Sequence, residues 1–190
     1  MAPVDLLRRL SETLDRLEIP YLITGSIAST AHGEPRFTND IDVAVRLNES
    51  QVRAFCASFP PPEYFCSAEA AEKAVRDRFT FNIIHPASGL KVDVIVASDS
   101  EFDRSRFARG VRLPAGPDFE TTFASPEDVV LKKLEFFREG GSEKHLRDVV
   151  GILKVQGEAI DREYLADWVG RLGLEAEWRL IEDRLTWGAA

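Results

Sequence analysis

The chain has 190 residues, 44% of them apolar and 29% charged, which is the balance of a compact globular protein and not of a disordered one. Its 32 acidic and 24 basic residues leave a formal net charge of -8. This excludes DNA binding by bulk electrostatics, because such affinity comes from cations that neutralise phosphates; a nucleotide or an RNA end held by a local basic patch remains open. No run of about 18 apolar residues occurs, so no membrane span is predicted. The N-terminal stretch carries Asp5, Arg8, Arg9 and Glu12 with no apolar signal core, and a cytoplasmic location is expected. A disulfide between Cys56 and Cys66, which flank the prolines at 60–62, is conceivable, but no sign of an oxidising compartment accompanies it.

In chain order, Leu6, Leu7, Leu10, Leu14 and Leu17 recur at helical spacing, with Pro3 suited to a first turn. Ile19-Pro20 breaks that helix. Tyr21 to Thr24 reads as a short buried strand ending at Gly25-Ser26, and residues 27–32 as a short helix closed by Gly33. A loop containing Pro35 leads to Ile41, Val43 and Val45, which alternate with Asp42, Ala44 and Arg46 as a strand does. Asn48 offers a cap for a helix that the prolines end, and Ser67 offers a cap for another. Two apolar runs around Pro86-Ala87-Ser88-Gly89 predict a hairpin with a four-residue turn. The stretch 99–122 is mixed and gives no clear assignment. Ser125-Pro126-Glu127-Asp128 combines a cap, an N1 proline and first-turn acids, and helical segments follow near 142–155, 161–172 and 174–186. The layout is α+β, with a small mixed sheet, flanking helices and a helical C-terminal region. The expected division is residues 1–123 as the core and 124–190 as the helical region packed on it.

Three features converge on one chemistry. Gly25-Ser26, between a strand and a helix, is either an ordinary turn or a phosphate cradle made by backbone N–H groups and the positive helix end. Asp40 and Asp42, two apart in a strand, project on one face. They are either strand-entry acids or a pair that holds a hard cation such as Mg²⁺. Asp93 interrupts an apolar strand in which Val92, Val94 and Val96 share one face and Lys91, Asp93 and Ile95 the other. Such an acid needs a partner, which a shared metal or a neighbouring lysine or arginine supplies equally well. Arg36 and Thr38, just ahead of the acidic pair, either shape the loop or touch phosphate. The P-loop pattern, the dinucleotide glycine fingerprint, zinc-ligand spacing and the hydrolase nucleophile elbow are all absent from the sequence.

The run Ile23-Thr24-Gly25-Ser26 … His32-Gly33-Glu34-Pro35-Arg36-Phe37-Thr38-Asn39-Asp40-Ile41-Asp42-Val43 resembles the signature of the DNA polymerase β-like nucleotidyltransferase superfamily. Residues 125–153, with Lys132-Lys133-Leu134 and His145-Leu146-Arg147-Asp148, resemble the C-terminal motifs of bacterial toxin-like nucleotidyltransferases of the abortive-infection type. The resemblance implies a nucleotidyltransferase core in which Asp40, Asp42 and Asp93 bind two Mg²⁺ ions and Gly25 and Ser26 bind the nucleotide. It also implies that Lys133 and Asp148 approach that nucleotide. From the residues alone, Lys133 flanks an apolar stripe of Val130, Leu134 and Phe137, and Asp148 lies beside a facing one; a solvated helix face or a surface ion pair fits them as well.

The expected activity is transfer of a nucleoside monophosphate from an NTP to a hydroxyl acceptor with release of pyrophosphate. Candidate acceptors are an RNA or tRNA end, a protein side chain or a small molecule such as an antibiotic. The toxin-like resemblance tilts the expectation towards an RNA end or a protein as acceptor, with a small-molecule (antibiotic) acceptor as an alternative, and adds an antitoxin-like protein partner in a toxin–antitoxin pair. A nucleotide-binding regulatory module without turnover is the alternative from another class. Arg104, Arg106, Arg109 and Arg112 read as a solvated loop or as the local patch that would hold an RNA end.

Overall fold

The structure, a computed structural model, describes residues 1–35 and 38–187. The chain forms two compact units: Met1–Ile27 with Phe37–Ala124, and Ala28–Arg36 with Ser125–Ala190.

The first unit is built on one mixed sheet. Among the described residues its strands are β1 (Tyr21–Thr24), β2 (Asp40–Val45), β3 (Phe65–Cys66), β4 (Thr80–His85), β5 (Leu90–Val96), β6 (Val111–Gly116) and β7 (Phe119–Phe123), in the spatial order β3-β4-β5-β2-β1-β7-β6. The centre of the sheet follows directly from patterning. On β5 Leu90, Val92, Val94 and Val96 are buried, while Lys91, Asp93 and Ile95 are half-exposed on the other face. That alternation is the period-two signature of a strand with one face in the core. β2 carries Ile41, Val43 and Val45 into the same core and runs parallel to β5.

Helix α1 (Pro3–Arg16) buries Leu6, Leu7, Leu10 and Leu14 as its heptad-like stripe demands. Its Ser11 and Thr121 on β7 share a hydrogen bond of 2.7 Å, and Thr121 also meets the Tyr21 hydroxyl at 3.0 Å. Helix α3 (Glu49–Ala57) starts where Asn48 accepts from the Gln51 amide, and α4 (Ala68–Asp77) where Ser67 accepts from the Ala70 amide. The β4–β5 hairpin closes through Gly89 at φ 70°, a left-handed conformation in which a side chain costs energy. Cys56 and Cys66 are free thiols with their sulfurs 3.4 Å apart.

The stretch 99–122 resolves into helix α5 (Glu101–Ala108) and the β6–β7 hairpin. Pattern misses β6 for a physical reason. It is an edge strand with Pro114 in it and no alternation of buried and exposed positions. Helix α5 corrects the expectation of a solvated arginine loop. Ser100 caps it, and Arg106, 5% exposed, turns inward to Asp103, with Nε 2.6 Å from Oδ1. Arg104 donates to the Asp99 carbonyl, and Arg112 reaches Asp15 and Glu120.

The Asp103 carboxylate also accepts from the Ser98 amide at 2.7 Å and from the Ser98 hydroxyl. Burial pushes its pKa up, but the Arg106 charge and the Ser98 bonds outweigh burial and hold it below the usual value. A depressed folded-state pKa contributes stability that is present above the unfolded carboxylate value of about 3.9 and is lost as pH falls through the folded value. The thermal midpoint of the wild type is therefore expected to fall more steeply below about pH 4 than that of Asp103→Asn. Parallel slopes in melting curves collected from pH 2 to 6 would remove this assignment.

The second unit contains α6 (Pro126–Gly140), α7 (Glu143–Gln156), α8 (Arg162–Leu172) and α9 (Glu175–Trp187), with the short 3₁₀ turn Gly157–Ala159. Their apolar stripes, Val130, Leu131 and Leu134 on α6, Leu146, Val149 and Ile152 on α7, and Leu165, Trp168 and Ile181 beyond, are buried. Ser125 caps α6 by accepting from the Asp128 amide at 3.2 Å. The first-turn acids then do more than favour the helix dipole. Asp128 accepts from the Tyr164 hydroxyl at 2.7 Å, and Glu127 from the Asp161 amide at 2.9 Å, so both fasten α6 to the start of α8. The end of α2 (Gly25–His32) belongs to this unit as well. Gln156 donates to the His32 carbonyl at 2.7 Å, and a Cβ on Gly33 would stand 2.9 Å from the Ile152 amide nitrogen. Only glycine permits that approach. Among the described residues no helix is long and apolar enough to cross a membrane.

Candidate active site

The sheet register builds the acidic face. Asp42 pairs with Asp93 across the parallel β2–β5 ladder, and Asp40 pairs with Lys91. Thr24 on β1 opposes Asp42, and Asn82 on β4 opposes Asp93. One row across four strands therefore reads Thr24, Asp42, Asp93, Asn82. Paired residues point to the same side of a sheet, and neighbouring strands lie about 4.8 Å apart, so the two central carboxylates are immediate neighbours. Asp40 stands one pleat along on the same face, exposed, while Asp42 and Asp93 are half-buried. Like charges so placed raise each other's free energy unless a cation joins them.

Asp93 already has polar company. Lys91 Nζ lies 2.9 Å from Asp93 Oδ2, and the Asn82 side-chain amide donates to Asp93 Oδ1. Hydrogen bonding to Asp93 raises the Lys91 pKa above its ordinary value despite partial burial, and the charges of Asp93, Asp40 and Asp42 add to the rise. Lys91 thus feels all three acids. Sequence reasoning allowed for a lysine partner to Asp93, and the alternation on β5 already placed Lys91 on the right face. No sequence motif marks Asn82; its signal is an amide inside the apolar run Phe81-Asn82-Ile83-Ile84.

Gly25 adjoins this face. It begins α2 at φ 62°, and a Cβ built on it would lie 2.7 Å from Asp42 Cβ and inside contact distance of the Asp42 carboxylate. The glycine is required twice, by its left-handed backbone and by the space that Asp42 fills. Ser26 follows at the N-terminal turn of α2, half-buried. Thr38 acts on the loop: its hydroxyl is 3.3 Å from both the amide and the carbonyl of Asp40. Arg36 lies outside the described residues.

The donor set suits a hard divalent cation. It offers carboxylate oxygens from two adjacent strands, close to a glycine whose missing side chain leaves Asp42 its place. Among the described residues the acids are not gathered into a preformed ligand cluster. Asp93 is turned to Lys91 and Asn82.

In the second unit, Lys133 and Asp148 meet. Lys133 Nζ is 2.6 Å from Asp148 Oδ2, with the two side chains only 4% and 8% exposed. This is a buried ion pair between α6 and α7, and not the solvated helix face that their sequence context also allowed. Asp148 further lines a cleft of about 220 Å³ together with Glu34, Lys144 and Arg147.

No family model matches the chain, and no curated protein matches its sequence. Solved structures do match it. The chain aligns with the solution structure of the antibiotic-resistance factor ANT(2'')-Ia at a TM-score of 0.56 and 14% identity, covering 93% of this chain and 96% of that one. The crystal structure of ANT(2'')-Ia in complex with adenylyl-2''-tobramycin gives 0.55 at 14% identity, over 92% and 98% of the two chains. The fold is that of a nucleotidyltransferase. An antigenic nucleotidyltransferase-like protein from Paracoccidioides brasiliensis shares the nucleotidyltransferase fold at a TM-score of 0.53 and 19% identity, over 80% of this chain and 75% of that one. The mixed sheet and flanking helices expected from patterning are those of this fold.

Proposed function

We propose that this protein is a Mg²⁺-dependent enzyme that transfers a nucleoside monophosphate from an NTP to a hydroxyl acceptor and releases pyrophosphate. The observation that supports this best is the placement of Asp40, Asp42 and Asp93 on one face of two adjacent strands, with Gly25 against Asp42. Asp40, Asp42 and Asp93 would hold the ions. Magnesium, when bound, neutralises the triphosphate and favours ionisation of the attacking hydroxyl. The chain's own part is to orient the reactants. The N-terminal turn of α2, with Gly25 and Ser26, presents backbone N–H groups to phosphate. Asn82 and the sheet register fix the direction of Asp93. In the transfer, the acceptor oxygen bonds to the α-phosphorus and the bond to the departing pyrophosphate oxygen breaks. The hydroxyl proton passes to a carboxylate of this face or to water. Lys133 and Asp148 are proposed to contribute to the nucleotide site, and residues 124–190 to form a helical region serving the 1–123 core.

A small-molecule hydroxyl is the acceptor class that gains most from the structure. Arg106 is buried in an ion pair with Asp103, so the patch considered for an RNA end loses one of its four arginines. ANT(2'')-Ia, whose crystal structure holds adenylyl-2''-tobramycin, shares the fold over nearly the full length of both chains. The toxin-like resemblance keeps RNA ends, protein hydroxyls and an antitoxin-like partner in the test panel. Incubation with each α-labelled NTP, Mg²⁺ and aminoglycoside, tRNA or protein acceptors is expected to yield labelled product and pyrophosphate. Asp42→Asn is expected to lower the rate by a factor on the order of 10³. Absence of product with every acceptor from folded wild-type protein would count against the proposal.

A further inference from the structure

On the polar face of β2 and β5, neighbouring side chains form a block of four: Asp40 and Asp42 on one strand, Lys91 and Asp93 on the other. Three corners are acids and the fourth is a lysine, whose Nζ sits 2.9 Å from Asp93. We propose that Lys91 is the resident counter-cation of this acid cluster, holding the place that a divalent ion takes when it arrives with a nucleoside triphosphate. The proposal rests on the nucleotidyltransferase reading above, and it assigns to Lys91 a positioning role beyond the carboxylates themselves.

The geometry favours exchange over a permanent structural pair. The Lys91 side chain is 39% exposed, so its ammonium can leave the block for water without stranding a buried charge. Its partner on the far side of the strand is Ile84, which offers no charge to hold it. A lysine suits the task better than an arginine, because a compact ammonium on a flexible stem does not lock onto a carboxylate in two-pronged fashion. Meanwhile it offsets part of the repulsion among Asp40, Asp42 and Asp93. A divalent ion entering alone must compete with this charge. A triphosphate brings negative charge that favours the metal over the ammonium, so ion and nucleotide are expected to load together.

The test is Mn²⁺ binding in the absence of nucleotide, followed by the electron paramagnetic resonance signal of the free ion, for wild type, Lys91→Met, Lys91→Gln and Lys91→Arg. Both neutral variants are expected to bind Mn²⁺ more tightly than wild type, by a factor on the order of ten. Lys91→Arg, which keeps the charge and can grip a carboxylate with two prongs, is expected to bind Mn²⁺ no more tightly than wild type. Thermal melting confirms that each variant is folded. Equal or weaker Mn²⁺ binding by the neutral variants overturns the counter-cation role while leaving the enzyme reading intact. If folded wild type and all variants fail to bind Mn²⁺ even with ATP present, the metal-dependent reading falls, and this proposal falls with it.

Discussion

Gly25→Ala is expected to lower nucleotidyl transfer by a factor on the order of a hundred or more, an effect comparable to misplacing a reacting group by about 1 Å. Two independent penalties meet at this residue. The backbone is left-handed at φ 62°, where an added Cβ costs about 1–2 kcal/mol. The same Cβ would overlap the Asp42 carboxylate, so either α2 or Asp42 must move. If Asp42 moves, its place beside Asp93 is lost, and with it the proposed metal site. Steady-state pyrophosphate release together with a thermal melt separates the outcomes. A large fall in kcat/KM with a melting point only a few degrees lower is the expected pattern. Near-wild-type turnover by Gly25→Ala would show that Asp42 does not need its present position, and the proposed site would have to be redrawn.

The largest stability effect is expected at Lys133. Its ammonium and the Asp148 carboxylate form a contact of 2.6 Å between side chains that are almost fully shielded from water. Lys133→Met keeps much of the stem's packing but takes the ammonium away from the Asp148 carboxylate, which is 8% exposed. Breaking a buried pair from one side costs about 3–5 kcal/mol, because the remaining ion keeps its desolvation penalty. Adding Asp148→Leu to the same chain is expected to recover most of that loss, since an apolar pair of similar volume avoids burying either charge. Chemical denaturation of the wild type, the single and the double variant reads the cycle directly. A single variant as stable as wild type would show that Asp148 has solvent or another partner within reach. Should the double variant be stable yet inactive, the pair would owe its presence to nucleotide handling and not to folding. That outcome would support the role proposed for both residues.

Pattern reading worked where local and long-range demands coincide. β1, β2 and β5 are bounded by Gly, Asn and Pro and lie in the middle of the sheet, where β1 is short and buried throughout and β5 alternates strictly against the core. The helix starts at Asn48, Ser67 and Ser125 rest on side chain–backbone bonds a few residues long, so they too are visible in the chain. The edge hairpin β6–β7 was not legible, because an edge strand faces water on one flank and tolerates Pro114. Arg106 looked like one member of a charge-rich surface stretch. It is buried by its ion pair with Asp103, a contact that helical spacing permits but does not require.

The same distinction runs through the proposed site. Chain order alone places Asp40 and Asp42 on one face of a strand, Asp93 on the polar face of another, and a glycine turn ahead of both, because the two-residue period of a strand is a local property. It says nothing of which strands become neighbours. That is settled by pairing over long sequence separations, where burial of the Ile41, Val43, Val92 and Val94 face selects the β2–β5 register. From that register come the features absent from any local pattern: Asp42 opposite Asp93, Asn82 holding Asp93 from the next strand, and Lys91 completing the acidic block.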